Sequence, residues 1–190
     1  MEYGRKRFTG SLCAGILLSA LAMSVGVSAH NEADDPAQNL EKLAPDFTLP
    51  ALSDRNLAIT LSSYRGKTVY LDFWSSWCAP CRESLPLLSE LYKQFAGEDF
   101  EIVAVNLDAH PADGRRLMAQ HAIAYPVASD ITGIAASKFG VSTLPAAYLI
   151  NNEGVIQSEL PQMDMQNFSA IKASLLELIE QARQTRPLVN

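Results

Sequence analysis

Two cysteines separated by two residues, Cys78 and Cys81 in the segment WCAPC, are the residues of this sequence with the clearest chemical potential. A cysteine attacks as its thiolate, so its usual pKa of about 8.5 must fall, and the free N–H groups and positive dipole end of a helix's first turn lower it. A helical pattern begins directly after Cys78. One turn then brings Cys81 within bonding distance, so the second thiol can resolve a mixed disulfide formed by the first. The spacing therefore indicates thiol–disulfide chemistry.

The residues around the pair bear on the choice between redox chemistry and metal binding. Pro80 suits a helix's first turn, because proline lacks an N–H and has a fixed φ, whereas Pro86 lies deeper and predicts a kink. The same cysteine spacing also supplies half of a zinc site, which needs two further ligands. His110 and His121 are the candidates, but each is more typical of a solvated loop or helix end. We therefore expect no metal and no cofactor.

Asp72 interrupts the segment TVYLDFW, which is otherwise apolar on both faces. Burying an uncompensated carboxylate is costly in free energy. A charged residue that interrupts an apolar strand pattern is therefore most often found at a functional site. If it is buried, Asp72 has a raised pKa and can accept the proton of Cys81 when that thiol attacks. The alternative is an aspartate without a role at an exposed strand end.

Other residues near these positions have simpler interpretations. Trp74 is expected in the core, whereas Trp77, directly before the pair, is expected to be partly exposed and to contact a partner. Arg82 and Glu83 are expected to be solvated. Pro145 precedes a strand, where its missing N–H is tolerated.

The strands that position these residues are predicted from β-branched and aromatic runs bounded by turn residues. The runs APDFTLP and NLAITL predict a leading β-hairpin. The run TVYLDFW is apolar on both faces apart from Asp72, which indicates a central strand, and FEIVAVNLD is predicted to be another buried strand. The runs AAYLIN and VIQS, joined by a turn at 152–154, predict an antiparallel hairpin.

Helical periodicity follows the central strands. Helices are predicted from Pro80 to a stop at Gly97, over about 112–121, and in a segment that ends near Phe139. This alternation is typical of a mostly parallel sheet, which the later hairpin makes mixed. A last helix, capped by Asp164, covers one sheet face. Its apolar stripe comprises Phe168, Ile171, Leu175, Leu178 and Ala182.

The first 29 residues have the pattern of a secretory signal peptide: three basic residues, an apolar run and a small-residue exit. The alternative is an uncleaved anchor, since the run is nearly as long as the ~20 residues that span a bilayer. Either places the domain outside the cytoplasm. Residues 30–42 are predicted to be a flexible linker and 43–187 the domain. Cys13, within the apolar run, is interpreted as a small apolar residue without a chemical role.

The charge balance excludes one class of partner. Residues 1–29 hold three cations and one anion, so the rest of a chain of net charge −6 carries −8. An acidic domain of this kind is a poor nucleic-acid binder. We expect a monomer, with membrane contact only if the N-terminal segment is retained.

From about Leu43 to Thr185 the sequence resembles the periplasmic thioredoxin-like proteins of the TlpA/ResA group. The resemblance rests on APDFTLP, LDFWSSWCAPCRESLP, EIVAVNLD and FGVSTLPAAYLINNEGVI. It implies an α/β thioredoxin-like fold, with a central mixed β-sheet flanked by helices and an N-terminal β-hairpin extension.

The resemblance also implies roles for individual residues. Cys78 would be the exposed nucleophile, Cys81 the buried resolving thiol and Asp72 a buried acid. Leu144–Pro145 would be a cis peptide facing the cysteines, of the kind that only proline makes inexpensive. The substrate would contact Trp77, Ala79, Pro80, Leu144 and Pro145.

Two positions depart from the family pattern. Some relatives have a glutamate where this chain has Ser84, and many have a threonine where it has Ala146. Glu83 is adjacent to the first position but points about 100° away around a helix. The substrate is therefore left open.

The leading hypothesis is dithiol–disulfide exchange with exported proteins. The resemblance favours reduction, with electrons from a membrane-bound thiol carrier and service to cytochrome c maturation. A copper chaperone, in which the two thiolates and His110 hold Cu(I), is the alternative. A peroxidase of the peroxiredoxin type is a third possibility. Such enzymes have a proline seven residues before the reactive cysteine and a threonine or serine three residues before it. This chain has Leu71 and Ser75 at these positions, so only the second fits.

Overall fold

The computed structural model describes residues 42–185. The segments in which the signal peptide, Cys13 and nearly all of the linker are predicted lie outside the described residues, as do residues 186–190. The strands are β1 (Thr48–Pro50), β2 (Ala58–Thr60), β3 (Thr68–Trp74), β4 (Phe100–Asn106), β5 (Val127–Ser129), β6 (Ala146–Ile150) and β7 (Ile156–Leu160). The helices are α1 (Ala79–Gln94), α2 (Pro111–Gln120), α3 (Ile134–Lys138) and α4 (Phe168–Thr185).

Five strands form a mixed sheet in the order β5-β4-β3-β6-β7. Strands β3, β4 and β5 are parallel, whereas β6 and β7 join as antiparallel partners. The separate pair β1 and β2 is antiparallel, as the leading hairpin predicted. The predicted mixed sheet with an N-terminal hairpin is therefore confirmed. All residues of β3 and β4 are buried, as predicted for both strands.

The side chains on the two faces of β3 pack into two different hydrophobic cores. Successive strand residues point to opposite faces, so Tyr70, Asp72 and Trp74 share one face. Tyr70 and Trp74 pack there with Cys81 and with buried residues of α1 and α4. On the other face, Leu71 and Phe73 pack with α3 and the hairpin. Asp72 thus faces the core beneath the helix that carries the cysteine pair.

Helix α1 begins where the sequence predicted. Cys78 is its N-cap. Pro80 lies in its first turn, where a residue without an N–H loses no hydrogen bond within the helix. The helix is assigned continuously across Pro86, so the kink there stays a prediction. Gly97 follows with a φ of +88°, a conformation that glycine adopts at little cost.

Helix α4 begins after a turn closed by Asp164. The Asp164 carboxylate accepts hydrogen bonds from the backbone N–H groups of Gln166 and Asn167. The Asn167 side chain accepts one from the Asp164 N–H in return. Asp164 therefore caps the turn that leads into α4, four residues before the helix begins at Phe168, and is not the residue directly before the helix. In the apolar stripe, Ile179 is buried and Leu178 is only half-buried.

In the part of the chain that the structure describes, no helix is both long and apolar enough to cross a membrane.

Candidate active site

Cys78 and Cys81 form a disulfide across the first turn of α1, with their Cα atoms 5.3 Å apart. The Cys78 Sγ also accepts a hydrogen bond from the Cys81 N–H at 3.2 Å. This N–H is one of the donors that a helix's first turn leaves without an intrahelical acceptor. After reduction, the same position offers a Cys78 thiolate a donor and the positive end of the helix dipole.

Both sulfur-bearing residues are shielded in this oxidised form. Cys78 is 5% exposed and Cys81 is 1% exposed. The resemblance implied an exposed nucleophile, but Cys78 is only slightly more accessible than its partner. The neighbouring residues are the accessible ones, since Ala79 and Pro80 are exposed and Trp77 is 70% exposed. Trp77 therefore offers a partner an aromatic surface one residue before Cys78.

Trp74 and Trp77 were expected in opposite environments, and the structure agrees. Trp74 is fully buried at the end of β3, whereas Trp77 lies on the surface. Arg82 and Glu83 are exposed, as expected. Ser84 is buried instead, and its Oγ donates to the Cys81 carbonyl oxygen at 2.9 Å. The position at which some relatives have a glutamate is thus enclosed in this protein and bonded to the pair.

Asp72 is buried beneath α1, with 3% of its surface exposed. Its Oδ2 has no hydrogen-bond partner among residues 42–185. Burial raises the pKa of Asp72 from 3.8 to about 7. Burial, together with the nearby Asp72 charge, also raises the pKa of Tyr70 and Tyr125. The carboxyl group can therefore bind and release a proton near neutral pH, inside the core that contains Cys81.

The Leu144–Pro145 peptide bond is cis. Pro145 directly precedes β6, whose first residue, Ala146, lies opposite Phe73 of β3. Because β6 runs antiparallel to β3, its start lies beside the end of β3, from which the chain proceeds to Cys78. The topology thus brings Pro145 and the cysteine pair to the same edge of the sheet.

Sequence reasoning missed two sets of contacts at this edge. The Gln162 side chain donates to the Pro80 carbonyl oxygen at 2.9 Å. The Asp108 carboxylate, at the end of β4, accepts hydrogen bonds from Ser76, two residues before Cys78. Asn106 and Asp108 are polar residues at the end of a mostly apolar run, as Asp72 is within β3, and that signal was available in the sequence.

The alternative metal site has no structural support from the described residues. His110 is exposed at the N-cap of α2, and His121 lies half-buried at the other end of the same helix. Within residues 42–185, no three or more His, Cys, Asp or Glu side chains are grouped so that they could hold a metal ion.

Comparisons with known proteins agree with this geometry. Residues 40–159 match the AhpC/TSA family. The thiol-disulfide oxidoreductase ResA of Bacillus cereus is 31% identical over 147 residues, which cover 76% of this chain and 84% of that relative. ResA of Bacillus subtilis is 33% identical over 144 residues, or 75% of this chain and 79% of the relative.

Solved structures include a similar protein from Chlorobium tepidum, a candidate thiol:disulfide interchange protein DsbE. It is 33% identical, with a TM-score of 0.68, and the match covers 73% of this chain and 96% of that one. A secreted disulfide oxidoreductase from Mycobacterium tuberculosis has a TM-score of 0.61 at 22% identity, over 68% of this chain and 96% of that one. At that identity the likeness bears on the fold alone.

Proposed function

Because this chain belongs to the AhpC/TSA family and, like the ResA proteins, is a thiol-disulfide oxidoreductase, we propose that it exchanges dithiols and disulfides with exported proteins through Cys78 and Cys81. The observation that carries the proposal is the disulfide across the first turn of α1, next to the exposed Trp77. A helix N-terminus stabilises a thiolate, and an exposed aromatic residue beside it gives a protein substrate a surface to contact.

The exchange proceeds in two displacements. In the reduced enzyme, the Cys78 thiolate attacks one sulfur of a substrate disulfide, which forms a mixed disulfide and releases the other substrate sulfur as a thiolate. Cys81 then loses its proton and attacks the Cys78 sulfur, which releases the second substrate thiolate. Two electrons pass to the substrate, and the enzyme is left with the Cys78–Cys81 disulfide seen in the structure.

We assign the proton transfer to Asp72. Its carboxylate, buried in the core beneath α1, accepts the Cys81 proton as that thiol attacks. A pKa of about 7 suits this role, because the group is then partly ionised at neutral pH and releases the proton readily afterwards. An aspartate at its ordinary pKa would be a weaker base.

The substrate chain lies along the edge that carries Trp77, Ala79, Pro80 and the Leu144–Pro145 peptide. Trp77 directly precedes Cys78, and Ala79 and Pro80 lie between the two cysteines. Pro145 reaches the same edge of the sheet through the antiparallel pairing of β6 with β3. Contacts to a main chain are independent of the side chains that it carries, so one edge can accept several partners.

The direction that we propose is reduction, in the service of cytochrome c maturation, with electrons delivered by a membrane-bound thiol carrier. The resemblance to the TlpA/ResA group supports this direction, and the ResA relatives are named as thiol-disulfide oxidoreductases. Residues 1–29 act as a signal peptide or anchor, 30–42 as a linker and 43–187 as the domain, so the enzyme works in the periplasm. The working form is a monomer without a cofactor.

The decisive experiment is the reduction potential of the Cys78–Cys81 couple, measured on the purified protein in defined thiol buffers. A strongly reducing value supports a reductase that is supplied by a membrane donor. A mildly oxidising value would instead indicate disulfide formation or isomerisation. A protein without a reversible couple would not be an oxidoreductase of this kind. Mass analysis of the exported protein locates any cleavage and so tests the proposed signal.

A further inference from the structure

Asp108 is a buried carboxylate that the mechanism above does not use. It follows the end of β4 and is 2% exposed. Its Oδ1 accepts hydrogen bonds from the Ser76 N–H at 2.9 Å and the Ser76 Oγ at 3.0 Å. Its Oδ2 lies 3.2 Å from the same N–H and accepts from the Asn106 Nδ2 at 2.9 Å. We call Asp108, Asn106 and Ser76 the Asp108 clamp.

The Asp108 clamp acts on the short segment that joins β3 to α1. Ser76 lies in the middle of this segment, between the last residue of β3 and the N-cap Cys78. Cys78 is in turn tied to the segment, because its N–H donates to the Ser75 carbonyl oxygen at 3.2 Å. The position of Cys78 at the start of α1 therefore depends on where Ser76 is held.

The Asn106 side chain of the Asp108 clamp is closely packed by its neighbours. Asn106 is fully buried and is paired with Trp74 across the parallel strands β4 and β3. Gly114 of α2 packs directly on the Asn106 side chain, so closely that a Cβ at this glycine would lie 2.9 Å from three Asn106 atoms. The close approach of the Gly114 backbone therefore limits the movement of the Asn106 amide on the side of α2.

We propose that Asp108 is a positioning residue for the nucleophile: by holding Ser76, it keeps Cys78 in register with the first turn of α1 and so stabilises the Cys78 thiolate. The inference rests on the proposed function, in which Cys78 attacks first. Without the clamp, Cys78 moves away from the free N–H groups of the helix. Less of it is then ionised at a given pH, and its attack is slower.

Two alternative roles for Asp108 predict different results. If its negative charge acted on Cys78 through space, removing that charge would favour the thiolate and increase thiolate reactivity. If Asp108 only stabilised the fold, its loss would lower the free energy of unfolding and leave the Cys78 pKa unchanged. The pKa of Cys78 in the reduced protein therefore distinguishes all three roles.

The test compares Asp108→Ala with Asp108→Asn in the full chain. Asp108→Ala removes the clamp and the charge together, whereas Asp108→Asn removes the charge and keeps an oxygen that Ser76 can donate to. The rate of Cys78 alkylation by iodoacetamide, followed against pH in the reduced protein with Cys81 changed to serine, gives the thiolate fraction. We expect Asp108→Ala to lower the alkylation rate below the Cys78 pKa on the order of fivefold, the size of a helix-terminus effect. We expect Asp108→Asn to stay within about twofold of the parent, since most of the contact to Ser76 is kept.

Asp130→Ala is the matched control. Asp130 is a buried carboxylate at the end of the neighbouring strand β5, and it accepts hydrogen bonds from the backbone N–H groups of Ile134, Ala135 and Ala136. Its loss should destabilise the fold and leave Cys78 alkylation unchanged. If Asp108→Ala does not fold, Ser76→Ala removes the bond from Oγ alone and should shift the rate in the same direction by less.

Faster alkylation in both Asp108 variants would overturn positioning in favour of charge. An unchanged alkylation profile in Asp108→Ala, with lowered stability as in Asp130→Ala, would reduce Asp108 to a structural residue. The wild-type protein separates this result from the proposed function. If its Cys78–Cys81 couple is reversible, then the proposed function stands even where the Asp108 inference fails.

Discussion

Gln162 and Pro80 are 82 positions apart in the chain, yet the Gln162 Nε2 donates a hydrogen bond to the Pro80 carbonyl oxygen at 2.9 Å. Pro80 lies between the two cysteines, and Gln162 lies in the connection from β7 to α4. Met163, the next residue, is buried in the core that also contains Cys81. The connection from β7 to α4 is thereby held against the first turn of the active-site helix.

This contact predicts that Gln162→Ala loosens the β7–α4 connection with little effect on the whole fold. A single neutral hydrogen bond contributes about 1 kcal/mol or less to the free energy of unfolding. Hydrogen exchange of the backbone N–H groups of residues 162–167 should become faster in Gln162→Ala. Gln162→Glu is the matched variant, because it keeps the length and loses the donor. Unchanged exchange in both variants would show that the contact does not hold the connection.

The order of attack predicts different outcomes for the two cysteine variants. Cys81→Ser retains the nucleophile and lacks the resolving thiol, so it should accumulate a mixed disulfide with a protein substrate. Cys78→Ser should form none. Non-reducing electrophoresis and mass analysis of the trapped species measure both. A mixed disulfide through Cys81 in the Cys78→Ser variant would reverse the assigned roles.

The assignment of Asp72 as proton acceptor predicts a selective kinetic defect. Asp72→Asn should slow the resolution of the mixed disulfide by about 10²-fold or more, the usual size of a general-base contribution. Initial attack by Cys78 should remain nearly unchanged. In the wild type, the resolution rate should increase as pH rises through about 7, where Asp72 ionises, and the variant should lack that step. Rapid-mixing measurements with a pre-formed mixed disulfide separate the two rates. Equal slowing of both would contradict the role.

The raised pKa of Asp72 also predicts how stability depends on pH. Its carboxyl binds a proton more tightly in the folded state than in the unfolded state, so its contribution to stability falls as pH rises from about 4 to about 7. A change from 3.8 to about 7 corresponds to about 4 kcal/mol above pH 7. Oxidised Asp72→Asn should therefore match the wild type near pH 3 and exceed it by up to that amount at pH 8. Denaturant unfolding at both pH values measures the difference, and an Asn variant less stable at pH 8 would refute it.

The opposite environments of the two tryptophans predict opposite defects. Trp77→Ala should leave the free energy of unfolding nearly unchanged, because the side chain is 70% exposed, and should slow exchange with a protein disulfide more than with a small one. Trp74→Ala should destabilise the fold by about 3–5 kcal/mol, as expected for a buried aromatic. Thermal unfolding and the two exchange rates check these expectations. Equal slowing with both substrates in Trp77→Ala would argue against a contact with protein partners.

Much of the fold could be predicted because its signals are local. The strand β3 is evident from its apolar run, and the start of α1 at Cys78 from the change to helical period and from Pro80. The alternation of strands and helices, followed by a hairpin, predicted the mixed sheet correctly. The predicted stripe of α4 packs on the core, with Phe168 and Leu178 partly buried, and Ile179 is a buried residue that the prediction did not include. Ile179 lies about 100° around the helix from Leu178, so the packing of α4 on the sheet determines how far the buried surface extends around the helix.

The candidate site likewise has features that local sequence predicts and features that depend on contacts between distant segments. By itself, the sequence determined the reactive pair, its place at a helix N-terminus and a carboxylate within a central strand, because each depends on residues that are adjacent or one turn apart. Only the tertiary structure decided that Asp108 holds Ser76 and that Gln162 reaches Pro80, 32 and 82 positions away. It also decided that Asp72 is buried beneath α1, and this burial raises its pKa to about 7. Such pairings form when distant segments meet at one edge of the sheet, and no local propensity or spacing encodes which segments those are.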